Sequence, residues 1–429
     1  MRDRYFTHAN PPVAAGPRKD YGGGLTTSQT SPSSRLSPWV QLKYFTFHPS
    51  VYPRMVGETS GSLRPGTTVH VYDKNGDYFG AGFFNPTARV PLRMFYHGTT
   101  PVSDTHLPDS VRAAAQLRHG LLGLNNAQSL DSADKATTCF RVVNSDGDGV
   151  PGLVVDRYND TLSVEVTTLG AWQRLPEWLP ILHTELGTRR TRVQVDPEIA
   201  SIERIRLSDL EQEDIRSVKF VEHGIRYEAD FSTGHKTGFF CDQRDNRKQL
   251  GEWTQGRRVL DLCCYTGGFA LAAKLLGNSP EVTAVDLDEK AIAQAKRNMN
   301  LNQTRLNLVH ADTFTYARQM QKNGTLWPVI VLDPPKFVGR REDTEDGLRK
   351  YYDLNALVLT LAEPGALFVT CSCSGLISAE IFEATVIRAA HRVGRRLQIL
   401  DRTGAGADHP VMSNCPESRY LKVIWAKVV

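Results

Sequence analysis

The chain lacks the features that would place it in an oxidising compartment or a membrane. Its seven cysteines include no CxxC pair and no His/Cys spacing suited to zinc. Cys263 and Cys264 are adjacent, and Cys371 and Cys373 are separated by one residue, so a small-loop disulfide framework is not expected. Reduced thiols in a cytoplasmic protein are the plain expectation. No apolar run is long enough to span a bilayer, and the N-terminus has no signal-peptide pattern, so no membrane partner is expected. The turn Cys263–Gly268 is not the GxGxxG of dinucleotide enzymes, and the sequence lacks the Walker pattern, which argues against a pyrophosphate ligand. Charge of one sign is also scarce. A net charge of +4 permits a nucleic-acid partner without demanding one.

What is present reads as soluble and globular: 40% hydrophobic and 23% charged residues over 429 positions, enough for two or three domains. Residues 1–36 are rich in Gly, Pro, Ser and Thr and are expected to form a disordered tail. From Val40 to Tyr96 short alternating runs are broken by turns such as Asp73-Lys74-Asn75-Gly76-Asp77, which predicts a small β-rich domain over 37–105. Residues 106–218 mix a helical stretch with strand pairs and predict a small α+β middle domain. Leu153–Asp156 and Leu162–Val166 read there as a hairpin turning at Asn159-Asp160. From 219 to 429 strand and helix alternate. Arg258–Leu262, Val282–Asp286, Leu306–His310, Val329–Asp333 and Ala366–Thr370 are strand-like, with helical patterns between them. That is the signature of an open α/β domain with a mostly parallel sheet.

In such sheets the ligand lies beyond the C-terminal ends of the strands. Asp261, Asp286, Asp312 and Asp333 fall at successive strand ends, and the turn Cys263-Cys264-Tyr265-Thr266-Gly267-Gly268 follows the first. Each acid has a job if the ligand is an adenosine with a charged amino-acid tail. Asp286, with Leu287 after it, can accept both ribose hydroxyls. Asp312 can accept from the adenine amino group, and Asp261 can attract the cationic end. Glycines let backbone approach a ligand closely. These features point to S-adenosylmethionine. A lone Asp at a strand end is often only a helix cap; four in series with a glycine turn favour a cofactor site. A late cysteine, Cys371 or Cys373, in the same domain as Asp333-Pro334-Pro335-Lys336-Phe337 suggests covalent chemistry on a base, because a thiolate can add to an unactivated ring carbon.

Asp261 to Gly268, Asp286 and Asp312 together resemble the motifs of class I S-adenosylmethionine-dependent methyltransferases. More closely, the chain resembles the bacterial large-ribosomal-subunit RNA methyltransferase I family, which makes 5-methylcytosine in 23S rRNA. The likeness is carried by Gly234–Arg244, Cys264–Ala270, Asp333–Phe337, Ser372–Gly375, Asp408–Val411 and Tyr420–Lys422. It implies a Rossmann-like methyltransferase domain at the C-terminus, a PUA-like RNA-binding domain over 37–105, and ribosomal RNA as partner. It leaves room for a homodimer.

The resemblance also distributes roles. The nucleophile would be Cys373, with Cys371 packed inside the sheet. Asp333 would share a proton with the cytosine N3/N4 edge; Lys336, read from the residue itself, either lowers the thiolate pKa or holds a phosphate, or is a surface lysine with no role. The cofactor set would comprise Asp261, Cys263, Tyr265, Thr266, Gly267, Gly268, Asp286, Leu287, Asp312, Asp333, Gln243 and Arg244. Lys236, Arg247, Lys336 and Phe337 would face RNA. A second cysteine three residues after Asp333, common in RNA cytosine-C5 enzymes, is replaced by Lys336. Uracil-C5 or guanine-N7 transfer, and a non-catalytic assembly factor, are the rival readings.

Overall fold

The computed structural model describes residues 34–124, 137–210, 213–232 and 238–429. The expected tail up to position 33, and Lys236, lie outside the described residues.

Short runs punctuated by turns build a six-stranded N-terminal sheet from β1 (Trp39–Leu42), β2 (Ser50–Val51), β3 (Val56–Thr59), β4 (Thr67–Tyr72), β5 (Tyr78–Phe84) and β6 (Leu92–His97). Its order is β2-β6-β5-β4-β1-β3. The β4–β5 turn forms because the Asp73 carboxylate accepts the N–H groups of Asn75 and Asp77 at 2.8 and 3.0 Å, while Gly76 takes φ 92°.

Helix α1 (His106–Gln116) leads to a second sheet of β7 (Cys139–Asn144), β8 (Leu153–Tyr158), β9 (Thr161–Val166) and β10 (Arg190–Gln194). β8 and β9 form the expected hairpin, with Asn159 at φ 56°. β10 runs parallel to β9, which requires a crossover; α2 (Leu169–Trp172) and α3 (Leu175–Leu186) supply it. Helix α4 (Pro197–Glu203) follows, capped by Asp196. One apolar core runs across the expected boundary at 105/106: Phe83 and Phe95 of the first sheet pack with Val111, Phe140 and Trp178. Each sheet has an apolar face to cover, and the two faces cover each other with α1 and α3. A hairpin of β11 (Ser217–Glu222) and β12 (Ile225–Asp230) shares a core with Cys139 and Tyr158 on one side and Leu271 and Ala272 on the other, so it joins the middle unit to the C-terminal one.

The C-terminal unit opens with α5 (Arg244–Thr254). Its strands are β13 (Val259–Leu262), β14 (Val282–Asp286), β15 (Asn307–His310), β16 (Trp327–Leu332), β17 (Ala362–Ser372), β18 (Leu397–Thr403) and β19 (Lys422–Val428). They pair in the order β15-β14-β13-β16-β17-β19-β18, parallel through β17 and antiparallel at β19 and β18. The helices between them are α6 (Gly268–Leu275), α7 (Glu289–Leu301), α8 (Thr313–Asn323), α9 (Thr344–Leu359) and α10 (Ala379–Arg392). Alternation along the strands feeds two cores. Leu260, Leu262, Ile330 and Phe368 join one; Val259, Val329, Val369 and Cys371 join the other. Chain direction through the sheet reverses between β13 and β16. That junction is where an open α/β sheet leaves a crevice; Asp261 pairs there with Val331, and Asp333 follows two residues later, close enough to act on the Asp261 charge. Among the described residues, no helix is long and apolar enough to cross a membrane.

Candidate active site

The turn after β13 is bent hard. Cys263, Tyr265 and Gly267 all take positive φ, at 62°, 49° and 82°. Two of these are not glycine, and such strain persists only where the surroundings impose it. Asp286 at the end of β14 is one such restraint, because its Oδ2 accepts the Tyr265 N–H at 2.7 Å. Its Oδ1 accepts the Asp288 N–H at 2.9 Å, so the carboxylate is aimed along the mouth of the crevice. Gly267 caps α6 from the left-handed region, and only there is glycine's freedom needed. Gly268 is required for another reason than approach to a ligand: an added Cβ would sit 3.0 Å from the Arg247 side chain.

Three polar atoms in this crevice are buried with no hydrogen-bond partner among the described residues: Asp242 Oδ1, Asp261 Oδ1 and Thr266 Oγ1. Buried polar atoms are rarely left without a partner, so these three mark where a polar ligand belongs. Asp261 is fully buried. Its other oxygen accepts the Ala270 N–H at 2.9 Å, and burial together with nearby Asp333 pushes its pKa up to about 8. A cation placed there would restore the charge. Leu287, 65% exposed beyond Asp286, offers an apolar face, and the ring of Phe240 meets that of Tyr265 edge-on at 5.0 Å. Asp312 spends one oxygen on capping α8 through the Thr315 N–H at 2.9 Å. Cys263 does not present a reactive thiol. Burial pushes it up to about 12, and it meets the Thr313 hydroxyl at 3.3 Å.

Asp333 lies at the end of β16. Its Oδ2 accepts from Gln243 Nε2 at 3.1 Å. Burial, then the neighbouring Asp242, pushes its pKa up to about 7, which lets one carboxyl both hold and release a proton near neutrality. Cys371, inside β17 and fully buried, faces Asp333 and Gln243, and its thiol is pushed well up by burial. Cys373 stands just past the strand end and is partly exposed. Its turn is fixed through Ser374, whose hydroxyl accepts the Val338 N–H at 3.2 Å and meets the Tyr351 hydroxyl at 3.0 Å. Lys336 is exposed on the loop opposite, and Phe337 packs half-buried against Tyr351 at 4.8 Å.

Two expected ligand-facing arginines are committed elsewhere. Arg247, assigned to RNA, is 3% exposed. It grips Glu222 of β11 through two 2.6 Å bonds and lies 4.5 Å from the Phe239 ring. Arg244, assigned to the cofactor, bonds Asp408 at 2.6 Å. Burial works against the Asp408 charge, but His409 and Arg244 hold its carboxyl well below the usual range. Asp408 also accepts the Arg141 N–H at 2.8 Å, and its carbonyl accepts from Arg118, itself paired with Asp148 at 2.6 Å. Arg118 and Arg141 thereby fasten the middle unit to Asp408 of the C-terminal one. Arg247 still lies beside the crevice, where its charge acts on Asp261 and Asp333. Sequence reasoning missed Asp242 and Lys422 as site residues. Asp242 lies in the Gly234–Arg244 segment that the family likeness sets against cofactor and RNA, and Lys422 closes the Tyr420–Lys422 segment of that likeness, at the start of the strand that pairs with β17.

The sequence pattern of a family described as S-adenosylmethionine-dependent methyltransferase matches residues 202–411, and that of a PUA-like domain matches residues 35–96. The chain is 31% identical over 389 residues to the ribosomal RNA large subunit methyltransferase I of Erwinia tasmaniensis, covering 89% of this chain and 96% of that one. It is 33% identical to its counterpart in Tolumonas auensis, with the same coverage. Among solved structures, a SAM-dependent methyltransferase from Streptococcus mutans superimposes with a TM-score of 0.70 at 20% identity, covering 88% of this chain and 95% of that one. Another methyltransferase, crystallised with SAH, does so with a TM-score of 0.72, also at 20% identity, covering 89% and 96%.

Proposed function

Because this chain belongs to the ribosomal RNA large subunit methyltransferase I family, we propose that it methylates carbon 5 of a cytosine in 23S rRNA through a covalent Cys373 adduct. It is an S-adenosylmethionine-dependent methyltransferase of large-subunit rRNA. The cytosine target and the adduct are our reading. S-adenosylmethionine, when bound, supplies an electrophilic methyl carbon. The residues present fit it: Asp286 for the ribose hydroxyls, Asp312 for the adenine edge, and the unpartnered Asp261 and Thr266 oxygens for the polar, cationic end.

Carbon 5 of cytosine is a poor nucleophile. The Cys373 thiolate adds to carbon 6, forming an S–C6 bond, and the C5=C6 pair becomes available at carbon 5 while N3 takes a proton. Asp333, with a pKa near 7 and held by Gln243, is placed to give that proton and to take it back. Once carbon 5 carries the methyl group, loss of its proton restores the double bond and expels the thiolate. Covalent catalysis thus divides one hard step into easier ones. The target base must leave its stack to reach the thiol, and Phe240 and Tyr265 offer rings at the crevice mouth.

The observation that carries the reading is the convergence of a partly exposed cysteine and a carboxyl titrating near neutrality at adjacent strand ends. The test is Cys373→Ala together with trapping on a 5-fluorocytosine transcript. The wild-type protein should crosslink through Cys373 in the presence of donor, and the variant should neither crosslink nor methylate. Methylation that persists in the variant would point to transfer to nitrogen and overturn the reading.

A further inference from the structure

Cysteine and lysine meet where two antiparallel strands end. β17 stops at Ser372 and β19 begins at Lys422, and these two residues are register partners. Lys422 is only 6% exposed. Its Nζ donates to the Ser374 carbonyl at 2.6 Å and to the Tyr420 carbonyl at 2.8 Å. An ammonium has three hydrogens, and two neutral carbonyls account for two of them. Among the described residues no carboxylate pairs with Lys422, although buried ammonium groups ordinarily need an anion. The residue enclosed between its register partner Ser372 and its carbonyl partner Ser374 is Cys373, whose thiol acts electrostatically on Lys422. Burial moves Lys422 down to about 8, Cys373 works to keep it charged, and Lys336 opposes. Among the described residues, Tyr351 from α9 and Cys371 from β17 also interact electrostatically with the thiol, with Asp333 beyond Cys371.

We propose that Lys422 is a positioning residue: its ammonium holds the Cys373 turn and stabilises the sulfur as thiolate, before attack and again on release. The inference rests on Cys373 being the nucleophile. The thiol proton leaves to solvent as the ion pair forms. The sulfur pair is spent on the S–C6 bond, and when that bond breaks the pair returns to sulfur beside the same ammonium. Exposed Lys336, the sequence candidate for this task, is left to meet phosphate.

The test is alkylation of the full chain with iodoacetamide from about pH 5 to about pH 10, with modification at Cys373 read by peptide mass spectrometry. The wild-type midpoint should lie at least one unit below the ordinary thiol value of about 8.5. Lys422→Met should raise it by about one unit or more, since an adjacent cation is what depresses a thiol pKa. Lys422→Arg should keep it low. Methylation by the Met variant should fall about tenfold near pH 7 and recover toward pH 9, as each pKa unit is a factor of ten in thiolate. A purely structural role would lower the rate equally at every pH, and that result overturns the proposal. So does a wild-type midpoint at or above about 8.5, which needs no variant to fold. The fluorinated-RNA crosslink separates the two claims. An adduct with an ordinary midpoint sinks only the lysine's role; no adduct in the wild type sinks the nucleophile with it.

Discussion

Replacing Arg247 with Leu tests whether this guanidinium is a structural clamp or an RNA contact. In the wild type, both Glu222 oxygens receive 2.6 Å bonds from Arg247, and the two side chains are 1% and 4% exposed. Arg247 also donates to the Phe240 carbonyl at 3.0 Å and lies over Phe239 at 4.5 Å. The Leu variant strands a carboxylate in a dry core, a loss of about 3–5 kcal/mol for removing one partner of a buried pair. The lost cation–π contact adds about 1–2 kcal/mol. Urea unfolding followed through Trp253 on the same helix, which meets Trp425 at 5.3 Å, is the assay. With a slope of about 2–3 kcal/mol per molar, the midpoint should fall by roughly 1–3 M. Replacing Glu222 and Arg247 together by Leu should recover most of that loss, because the unpaired charge is gone. A midpoint within about 0.3 M of wild type, coupled with weaker RNA binding and a shallower salt dependence, would refute the clamp and return Arg247 to the RNA.

Two further outcomes follow from the crevice. Asp286→Ala should weaken S-adenosylmethionine binding about 10- to 100-fold by calorimetric titration, the cost of hydrogen bonds to a charged group plus a loosened Tyr265 turn; unchanged affinity would remove the ribose role. Asp333 holds its proton more tightly folded, to about pH 7, than unfolded. The unliganded wild type should therefore lose stability as pH rises from about 4 to about 7 on account of Asp333, by a few kcal/mol at most, and Asp261 adds a loss of the same sign that runs on to about pH 8. Asp333→Asn should lose the Asp333 share of that slope, leaving a shallower one from Asp261, and should not methylate. Parallel melting-temperature curves against pH would contradict the raised pKa.

Much of the crevice was legible because strand ends are local. A β run closed by Asp, a turn and a helix start put Asp261, Asp286, Asp312 and Asp333 on one rim of any parallel sheet. The turns at Asn159 and Gly76 were readable for the same reason. The ion pairs of Arg244 and Arg247 were not legible because their partners, Asp408 and Glu222, are 164 and 25 residues away. A charged run before the first sheet strand looks the same whether it faces RNA or a domain junction. The core shared by Phe83, Phe95 and Phe140 was equally invisible, since alternation says which residues are buried but not against what.

The order of strands and helices, the acids at their ends and the late cysteine were thus written into the chain, since each depends on neighbours within a few residues. The tertiary structure alone decided which arginines are locked away, that Asp242 and Asp333 crowd each other, and that Lys422 meets the turn of Cys373. Those outcomes depend on desolvation and on charges brought together across the sheet, and burial and distance exist only once the chain has closed on itself.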